Sequence, residues 1–242
     1  MTRAAALLTL LFCLPAVAAD APVLVAGATG QTGSLVVAAL VREGVPVRAM
    51  TRSAEKAAAF GDGVDGVVAD VTEPATLVDA VRGAGVVIST IGASMPVGDN
   101  GFAAVDWEGN RTLIDAAREA GVRQFLLMSA GSAGREGFRY ELSIAPYPWK
   151  AKSEQHLRDS ALAYTILAPG GLRDYAAGEK AVVLAPREAY ETGQISRADV
   201  AEVLVACIDN EDCLGKTITI INSDAPATGA WRERLAELPA DR

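Results

Sequence analysis

Short apolar runs alternate with longer amphipathic stretches from residue 23 onward. The apolar runs have the length of strands, and they fall at 23–26, 45–50, 66–69, 86–90, 125–129, 164–167 and 217–221. The amphipathic stretches have helical spacing, and they fall at 34–43, 75–83, 106–120, 150–160 and 198–210. This alternation is typical of right-handed βαβ units. We therefore expect a single α/β domain over residues 20–242, built on a doubly wound parallel sheet.

The first nineteen residues have a different pattern. Arg3 precedes an apolar run at 4–14, and an Ala-Val-Ala segment follows at 16–18. A basic start, a short apolar core and small residues at a cleavage site are typical of a secretory signal peptide. We expect residues 1–19 to be removed and the protein to be exported, to the periplasm, with no integral membrane span left. The alternatives are a buried leading strand or a misassigned start codon, and either would leave the protein in the cytoplasm.

Composition limits the classes of partner. Half of the 242 residues are hydrophobic, and a chain of this length can bury a large core without metals or disulfides. The formal net charge is −8. This acidic balance argues against a nucleic-acid partner, because phosphate backbones require a basic face. Any site for an anion must therefore be local.

Cys207 and Cys213 are the two cysteines outside the predicted signal peptide, since Cys13 lies within it. In an oxidising compartment the pair can close a small loop at a helix end. The alternative is a buried helical Cys207 beside an unrelated loop thiol. Two thiols and the distant His156 do not provide the four ligands of a zinc site, so no metal is expected.

A glycine-rich turn lies between the first predicted strand and the first predicted helix. Gly27, Gly30 and Gly33 permit a tight turn, close approach of the backbone to a pyrophosphate, and packing of the helix on the strand. Free N–H groups at the helix N-terminus attract the same anion, and Thr29 and Thr32 add hydroxyl donors. The predicted dinucleotide contacts are Gly27, Thr29, Gly30, Gln31, Thr32 and Gly33. The whole pattern predicts a Rossmann fold.

The end of the second predicted strand bears on the choice of cofactor. NAD-binding domains usually place an acid there to hold the ribose diol, whereas this strand continues into Thr51, Arg52 and Ser53. Arg52 can make a charge-assisted contact with a 2′-phosphate, and Ser53 and Lys56 can assist it. The sequence therefore favours NADP(H) over NAD.

Several motifs together resemble the atypical short-chain dehydrogenase/reductase family, in its NmrA-like, NAD(P)H-binding branch. The resemblance extends from about residue 23 to residue 221. The motifs that carry it are VLVAGATGQTG at 23–33, TR at 51–52, ADV at 69–71, VDWEGN at 105–110, LMSA at 127–130 and YTILAPGG at 164–171.

The resemblance implies a role for individual residues along the cofactor. Asp70 and Val71 are expected to contact adenine. The ribose is expected to lie against Thr90, Ile91 and Gly92. Toward the nicotinamide, the implied residues are Asn110, which orders the central helix, Ser129 at the reacting centre, Lys152 on the ribose, and Pro169 with Gly170 at the carboxamide.

Active members of the wider family use a Ser, a Tyr and a Lys four residues after the Tyr, and this chain departs from that spacing. Tyr147 lies five residues before Lys152, with Pro148 in the expected Tyr position. On a continuous helix Tyr147 and Lys152 are about 140° apart. Pro148 is a favourable first helical residue, so we expect Tyr147 just outside the helix, able to approach Ser129. Lys150 is interpreted as wrongly placed for the cofactor. Glu154 and Asp159 are interpreted as part of the solvated face of the same helix.

Two functions remain open from sequence. The first is an NADP(H)-dependent oxidoreductase that transfers hydride to a small carbonyl, quinone or flavin-like acceptor, a reaction that tolerates an imperfect Tyr. The alternative is a non-catalytic, NmrA-like NAD(P)-binding sensor or partner-docking protein, which the displaced Tyr147 favours.

Overall fold

The strand–helix alternation folds around one eight-stranded sheet in the computed structural model, which describes residues 21–134 and 145–241. The strands of both sheets are β1 (Val23–Ala26), β2 (Val47–Thr51), β3 (Val64–Val68), β4 (Val86–Ser89), β5 (Gln124–Met128), β6 (Tyr164–Pro169), β7 (Gly171–Arg173), β8 (Ala181–Pro186), β9 (Gln194–Ser196) and β10 (Lys216–Ser223). The large sheet has the order β3-β2-β1-β4-β5-β6-β10-β8, and β7 pairs with β9 in a second, small sheet.

The direction of the strands confirms the doubly wound Rossmann fold. All neighbours in the large sheet are parallel except β8, which runs antiparallel to β10 at the edge. The chain moves outward from β1 to β3, then returns to the other side of β1 with β4. Ligands of open α/β sheets bind at the carboxyl ends of strands where the order reverses, so β1 and β4 mark the expected site.

Helices cover both faces of this sheet. They are α1 (Gln31–Arg42), α2 (Ala54–Ala58), α3 (Pro74–Val81), α4 (Asn110–Glu119), α5 (Tyr147–Asp159), α6 (Arg197–Ala206) and α7 (Trp231–Arg234). Helices α1 and α6 pack in one apolar layer, and α3, α4 and α5 contribute to the other. None of the helices within residues 21–134 and 145–241 has the length and apolar character needed to cross a membrane.

The continuous apolar runs of the sequence follow from this two-sided burial. Val23 and Val25 of β1 pack in the layer with α1, whereas Leu24 and Ala26 pack in the opposite layer, and all are buried. A parallel strand covered by helices on both faces has no solvent-facing position, so its hydrophobic pattern does not alternate.

Two predicted helices begin earlier than expected. The stretch predicted at 106–120 starts with a π-helical segment, Ala103–Gly109, which continues directly into α4. The stretch predicted at 150–160 is α5, whose first residue is Tyr147. The prediction that Pro148 is the first helical residue is therefore wrong, and Tyr147 lies inside the helix rather than ahead of it.

Cys207 and Cys213 are joined by a disulfide, and their Cα atoms are 5.5 Å apart. The bond closes the loop that follows α6, and both cysteines are buried. Of the two alternatives left by the sequence, the structure therefore has the closed loop. The predicted signal peptide at 1–19 lies outside the described residues.

Candidate functional site

The turn after β1 is shaped by close contacts that only glycine permits. Gly27 has a positive φ of 82°, and a Cβ on this residue would lie 2.9 Å from Oγ1 of Thr90. A Cβ on Gly33 would lie 2.0 Å from the carbonyl oxygen of Gly27, so helix α1 rests directly on the turn. At Gly30 the corresponding distance is 3.1 Å. The three glycines thus leave the backbone of the turn uncovered by side chains at the carboxyl end of β1.

The N-terminus of α1 is prepared for an anion. Its N-cap is Gly30, which has no side chain to accept the first helical N–H groups, and no acidic residue lies in the first turn. These N–H groups and the positive end of the helix dipole are the features that hold a pyrophosphate. A side chain on Gly27 or Gly33 would collide with the atoms that form the turn, so the turn keeps its shape only with these glycines and the residues present fit a dinucleotide.

A groove of about 530 Å³ runs along the carboxyl ends of the strands beside this turn. Nine of the predicted cofactor residues line it: Gly27, Thr29, Gly30, Arg52, Asp70, Val71, Thr90, Ile91 and Gly92. Gln31 is the first, exposed residue of α1, and Thr32 and Gly33 are buried behind the turn. The structure thus gathers most of the predicted cofactor set on one continuous surface.

Arg52 lies at one end of the groove and is 63% exposed in its side chain. Its Nη1 donates a hydrogen bond to Oδ1 of Asn100 at 2.8 Å and is 3.9 Å from Oδ2 of Asp70. Asn100 also lines the groove. Sequence reasoning missed Asn100, because it lies in an irregular segment with no periodic pattern.

Asn110 lies where the π-helical segment changes into α4. Its Oδ1 accepts a hydrogen bond of 2.7 Å from the hydroxyl of Ser89, the last residue of β4. Its Nδ2 donates a hydrogen bond of 3.0 Å to the backbone oxygen of Asp106. Because the bond to Ser89 connects the helix to the sheet, Asn110 orders the backbone beside the groove without lining it.

Ser129 is buried and engaged with charged residues rather than open to the groove. Its hydroxyl donates to Glu154, whose carboxylate also binds Arg187 and, at 3.2 Å, Arg158. Burial opposes the charge of Arg158, but the carboxylates of Glu154 and Asp241 raise the pKa of this guanidinium. Glu154 is only 2% exposed, so its interpretation as part of a solvated helix face is wrong.

Tyr147 and Lys152 do not converge in the structure. Because α5 is continuous from Tyr147, five residues of helix rotate Lys152 by about 140° from it. The Nζ of Lys152 lies 4.6 Å from the ring centroid of Trp149, in a cation–π contact. Lys152 is thus directed to an aromatic surface, in contrast to its expected place on the ribose.

Lys150 takes the position beside the groove. Its Nζ is 3.0 Å from Oδ1 of Asp106, and a Cβ on Gly92 would lie 3.8 Å from this ammonium. The interpretation of Lys150 as wrongly placed is therefore not supported by the geometry. Its spacing of three residues after Tyr147, which puts both on neighbouring helical positions, was the available signal.

Pro169 and Gly170 end β6 with contacts to the backbone around them. The carbonyl oxygen of Pro169 accepts the N–H of Gly131 at 2.7 Å, and the N–H of Gly170 donates to Ile220 at 2.9 Å. A Cβ on Gly170 would lie 2.5 Å from the oxygen of Gly193. The geometry gives these residues a clear packing role and leaves them outside the groove lining.

The glycine turn, the N-terminus of α1 and the groove at the point of strand reversal define a dinucleotide-binding α/β protein. The model of the NAD(P)H-binding family matches residues 27–211. The chain belongs to this family, in the atypical short-chain dehydrogenase/reductase, NmrA-like branch.

Three relatives illustrate the range of the family. Sanguinarine reductase of Eschscholzia californica is 30% identical, over 82% of this chain and 88% of the relative. The chloroplastic protein TIC 62 of Pisum sativum is 32% identical over 92% of this chain, which spans only 47% of that protein. The solved structure of ChuY, an anaerobillin reductase from Escherichia coli O157:H7, has a TM-score of 0.69 and 27% identity, and covers 86% of this chain and 100% of its own.

Proposed function

We propose that the protein is an NADP(H)-dependent reductase that transfers hydride to a small carbonyl, quinone or flavin-like acceptor. The observation that carries the proposal is the glycine cradle at the N-terminus of α1, where a Cβ on Gly33 or Gly27 would meet atoms within 3 Å. Two relatives that match most of the chain are named as reductases, which supports reduction over other reactions of this fold.

The preference for NADP(H) rests on the charges at the β2 end of the groove. Arg52 and Lys56 both line the groove there, and Arg52 is exposed enough to turn toward a ligand. Asp70 is 3.9 Å from Arg52, which is a weak ion pair at an exposed site. A 2′-phosphate can therefore replace Asp70 as the partner of Arg52, and breaking the weak ion pair costs little binding free energy.

Fluorescence titration with NADPH and NADH tests the cofactor proposal. We expect Arg52→Ala to weaken NADPH binding by roughly 10- to 100-fold, the equivalent of one or two charge-assisted hydrogen bonds, and to leave NADH binding nearly unchanged. Arg82→Ala is the matched control, because Arg82 is an exposed arginine paired with Asp79 on α3. Equal losses for both nucleotides, or no nucleotide binding by the unaltered protein, would contradict the proposal.

A second function is favoured by the contacts of two expected catalytic residues. The hydroxyl of Ser129 is donated to Glu154, and Lys152 contacts Trp149, so the usual catalytic trio is not assembled. A non-catalytic sensor of the NADP state requires only the cofactor groove. Binding of NADPH without its consumption across a panel of quinones, flavins and aldehydes would favour this sensor.

We also propose that the protein is exported after removal of residues 1–19. The apolar run behind Arg3 supports this, as does the disulfide between Cys207 and Cys213, since such bonds persist in oxidising compartments. An exported protein must acquire its nucleotide before or during export. N-terminal sequencing of the native protein should start near Ala19 or Asp20, whereas a start at Met1 or Thr2 would contradict export.

A further inference from the structure

A buried ion pair lies beside the β4 end of the cofactor groove. The Nζ of Lys150 is 3.0 Å from Oδ1 of Asp106, and the two side chains are 11% and 1% exposed. A Cβ on Gly92 would lie 3.4 Å from that carboxylate oxygen and 3.8 Å from the ammonium. Because Gly92 lines the groove, the ammonium of Lys150 lies directly behind a residue of the groove wall.

Asp106 is held rigidly in this position. Its Oδ2 accepts the backbone N–H of Ala93 at 2.9 Å, and its backbone oxygen accepts the side chains of Asn110 and Ser153. The residue lies within the π-helical segment Ala103–Gly109, a geometry found frequently at functional sites. The carboxylate therefore fixes where the ammonium of Lys150 can lie.

The ammonium retains capacity to donate. A lysine carries three N–H donors, and among residues 21–134 and 145–241 its one acidic partner within 4.0 Å is Asp106. In the same part of the chain, Oδ1 of Asp106 has no hydrogen bond of good geometry. The contact is thus mainly one of charge, and the described residues leave protons of Lys150 for a ligand.

The other expected donors are engaged elsewhere. The hydroxyl of Ser129 donates a hydrogen bond to Glu154 inside a buried charged cluster. The ammonium of Lys152 lies over the ring of Trp149. Burial of a charged pair costs free energy unless its geometry is favourable. Removing either partner leaves the other charge buried and unpaired. A lysine held in such a place is positioned to act on a ligand in the groove.

We propose that Lys150 is the proton donor of the reduction and that Asp106 is its positioning residue; this inference rests on the proposed reductase function. When bound, NADPH would supply the hydride and would leave as NADP⁺. The hydride forms a new bond to a conjugated carbonyl acceptor such as a quinone, whose π electrons move to its oxygen. Lys150 gives that oxyanion a proton and regains one from water, so the acceptor gains one hydride and one proton.

The test combines NADPH titration with reduction of menadione at saturating NADPH. We expect Lys150→Ala to lower kcat by about 100-fold, which is typical of a lost general acid, while the NADPH dissociation constant changes by less than about tenfold. Added methylammonium should partly restore the rate, and tetramethylammonium, which has charge but no N–H, should not. Lys180→Ala is the control, because Lys180 is an exposed lysine paired with Asp224.

Two further variants address positioning and the rival donors. Asp106→Asn should lower kcat without raising the KM for menadione, with thermal unfolding followed to verify the fold. Tyr147→Phe and Lys152→Ala should each keep most of the rate, and a loss confined to either would assign the proton to that residue instead.

The outcomes separate this inference from the function on which it rests. An unaltered protein that does not bind NADPH would contradict the proposed function. If the unaltered protein binds NADPH but reduces no quinone or flavin, both the reductase function and the assignment of Lys150 as proton donor are contradicted. If reduction proceeds equally in Lys150→Ala, or if its loss is not restored by methylammonium and accompanies unfolding, only the assignment of Lys150 falls.

Discussion

Gly33 packs against Gly27 so closely that a Cβ on Gly33 would lie 2.0 Å from the carbonyl oxygen of Gly27. This contact sets the distance between the start of α1 and the end of β1. It therefore determines how far the free N–H groups of the helix project into the groove.

We predict that Gly33→Ala destabilises the fold, because neither backbone can move without displacing α1. Overpacking of this kind costs about 1–3 kcal/mol of unfolding free energy, which urea denaturation measures. Gly30→Ala has a Cβ contact of 3.1 Å and should mainly weaken NADPH binding. Gly61→Ala is the control, because nothing lies within 4 Å of its Cβ position, and it should change stability by less than about 0.5 kcal/mol. A Gly33→Ala protein as stable as Gly61→Ala would refute the prediction.

The carboxylate of Glu154 is predicted to be the key acceptor of the buried cluster. Glu154→Ala leaves Arg187, Arg158 and the hydroxyl of Ser129 without that acceptor, and loss of one buried partner typically costs about 3–5 kcal/mol. The free energy of unfolding should fall accordingly. Asp159→Ala, on the exposed side of the same helix, should alter it by less than about 0.5 kcal/mol. Equal effects of the two variants would show that the cluster contributes little.

The local turn could be predicted from sequence, whereas the orientation of α5 could not. Gly27, Gly30 and Gly33 are close in the chain, so their spacing alone predicts the cradle. The side chains of α5 depend on where the helix begins and what packs on it, and each residue of helix rotates the next by about 100°. The interpretation of Glu154 as solvent-exposed was therefore wrong. The place of Lys152 on the cofactor stays a prediction. The burial of Glu154 depends on Arg187, which is 33 residues away.

Reduction of the disulfide provides a third prediction. The bond between Cys207 and Cys213 closes a short loop, and the entropy of that closure is equivalent to about 2 kcal/mol of stability. The unaltered protein should lose that much in a thiol reductant, measured by urea denaturation. The double variant Cys207→Ser/Cys213→Ser should start lower and be indifferent to reductant. A reductant effect of the same size in the double variant would exclude the disulfide as its cause.

Tyr164 is predicted to make stability depend on alkaline pH. Burial and the carboxylate of Asp241, which accepts its hydroxyl at 3.1 Å, raise the pKa of this phenol from 10.0 to about 12. In the unfolded chain the phenol ionises near its ordinary pKa, so the unfolded state loses the proton first. The protonated phenol of Tyr164 therefore adds its full contribution to the free energy of unfolding below pH 10. This contribution is lost as the pH rises toward about 12.

Urea denaturation across this interval should show a smaller loss of stability in Tyr164→Phe than in the unaltered protein. Ultraviolet titration of tyrosinate in the folded protein should lose its component near pH 12 in the same variant. Because Phe keeps the ring and removes only the hydroxyl, packing is nearly conserved, and the difference reports the burial of the hydroxyl together with its bond to Asp241. Stability curves that coincide for the two proteins would mean that neither burial nor Asp241 raises the pKa of Tyr164 in solution.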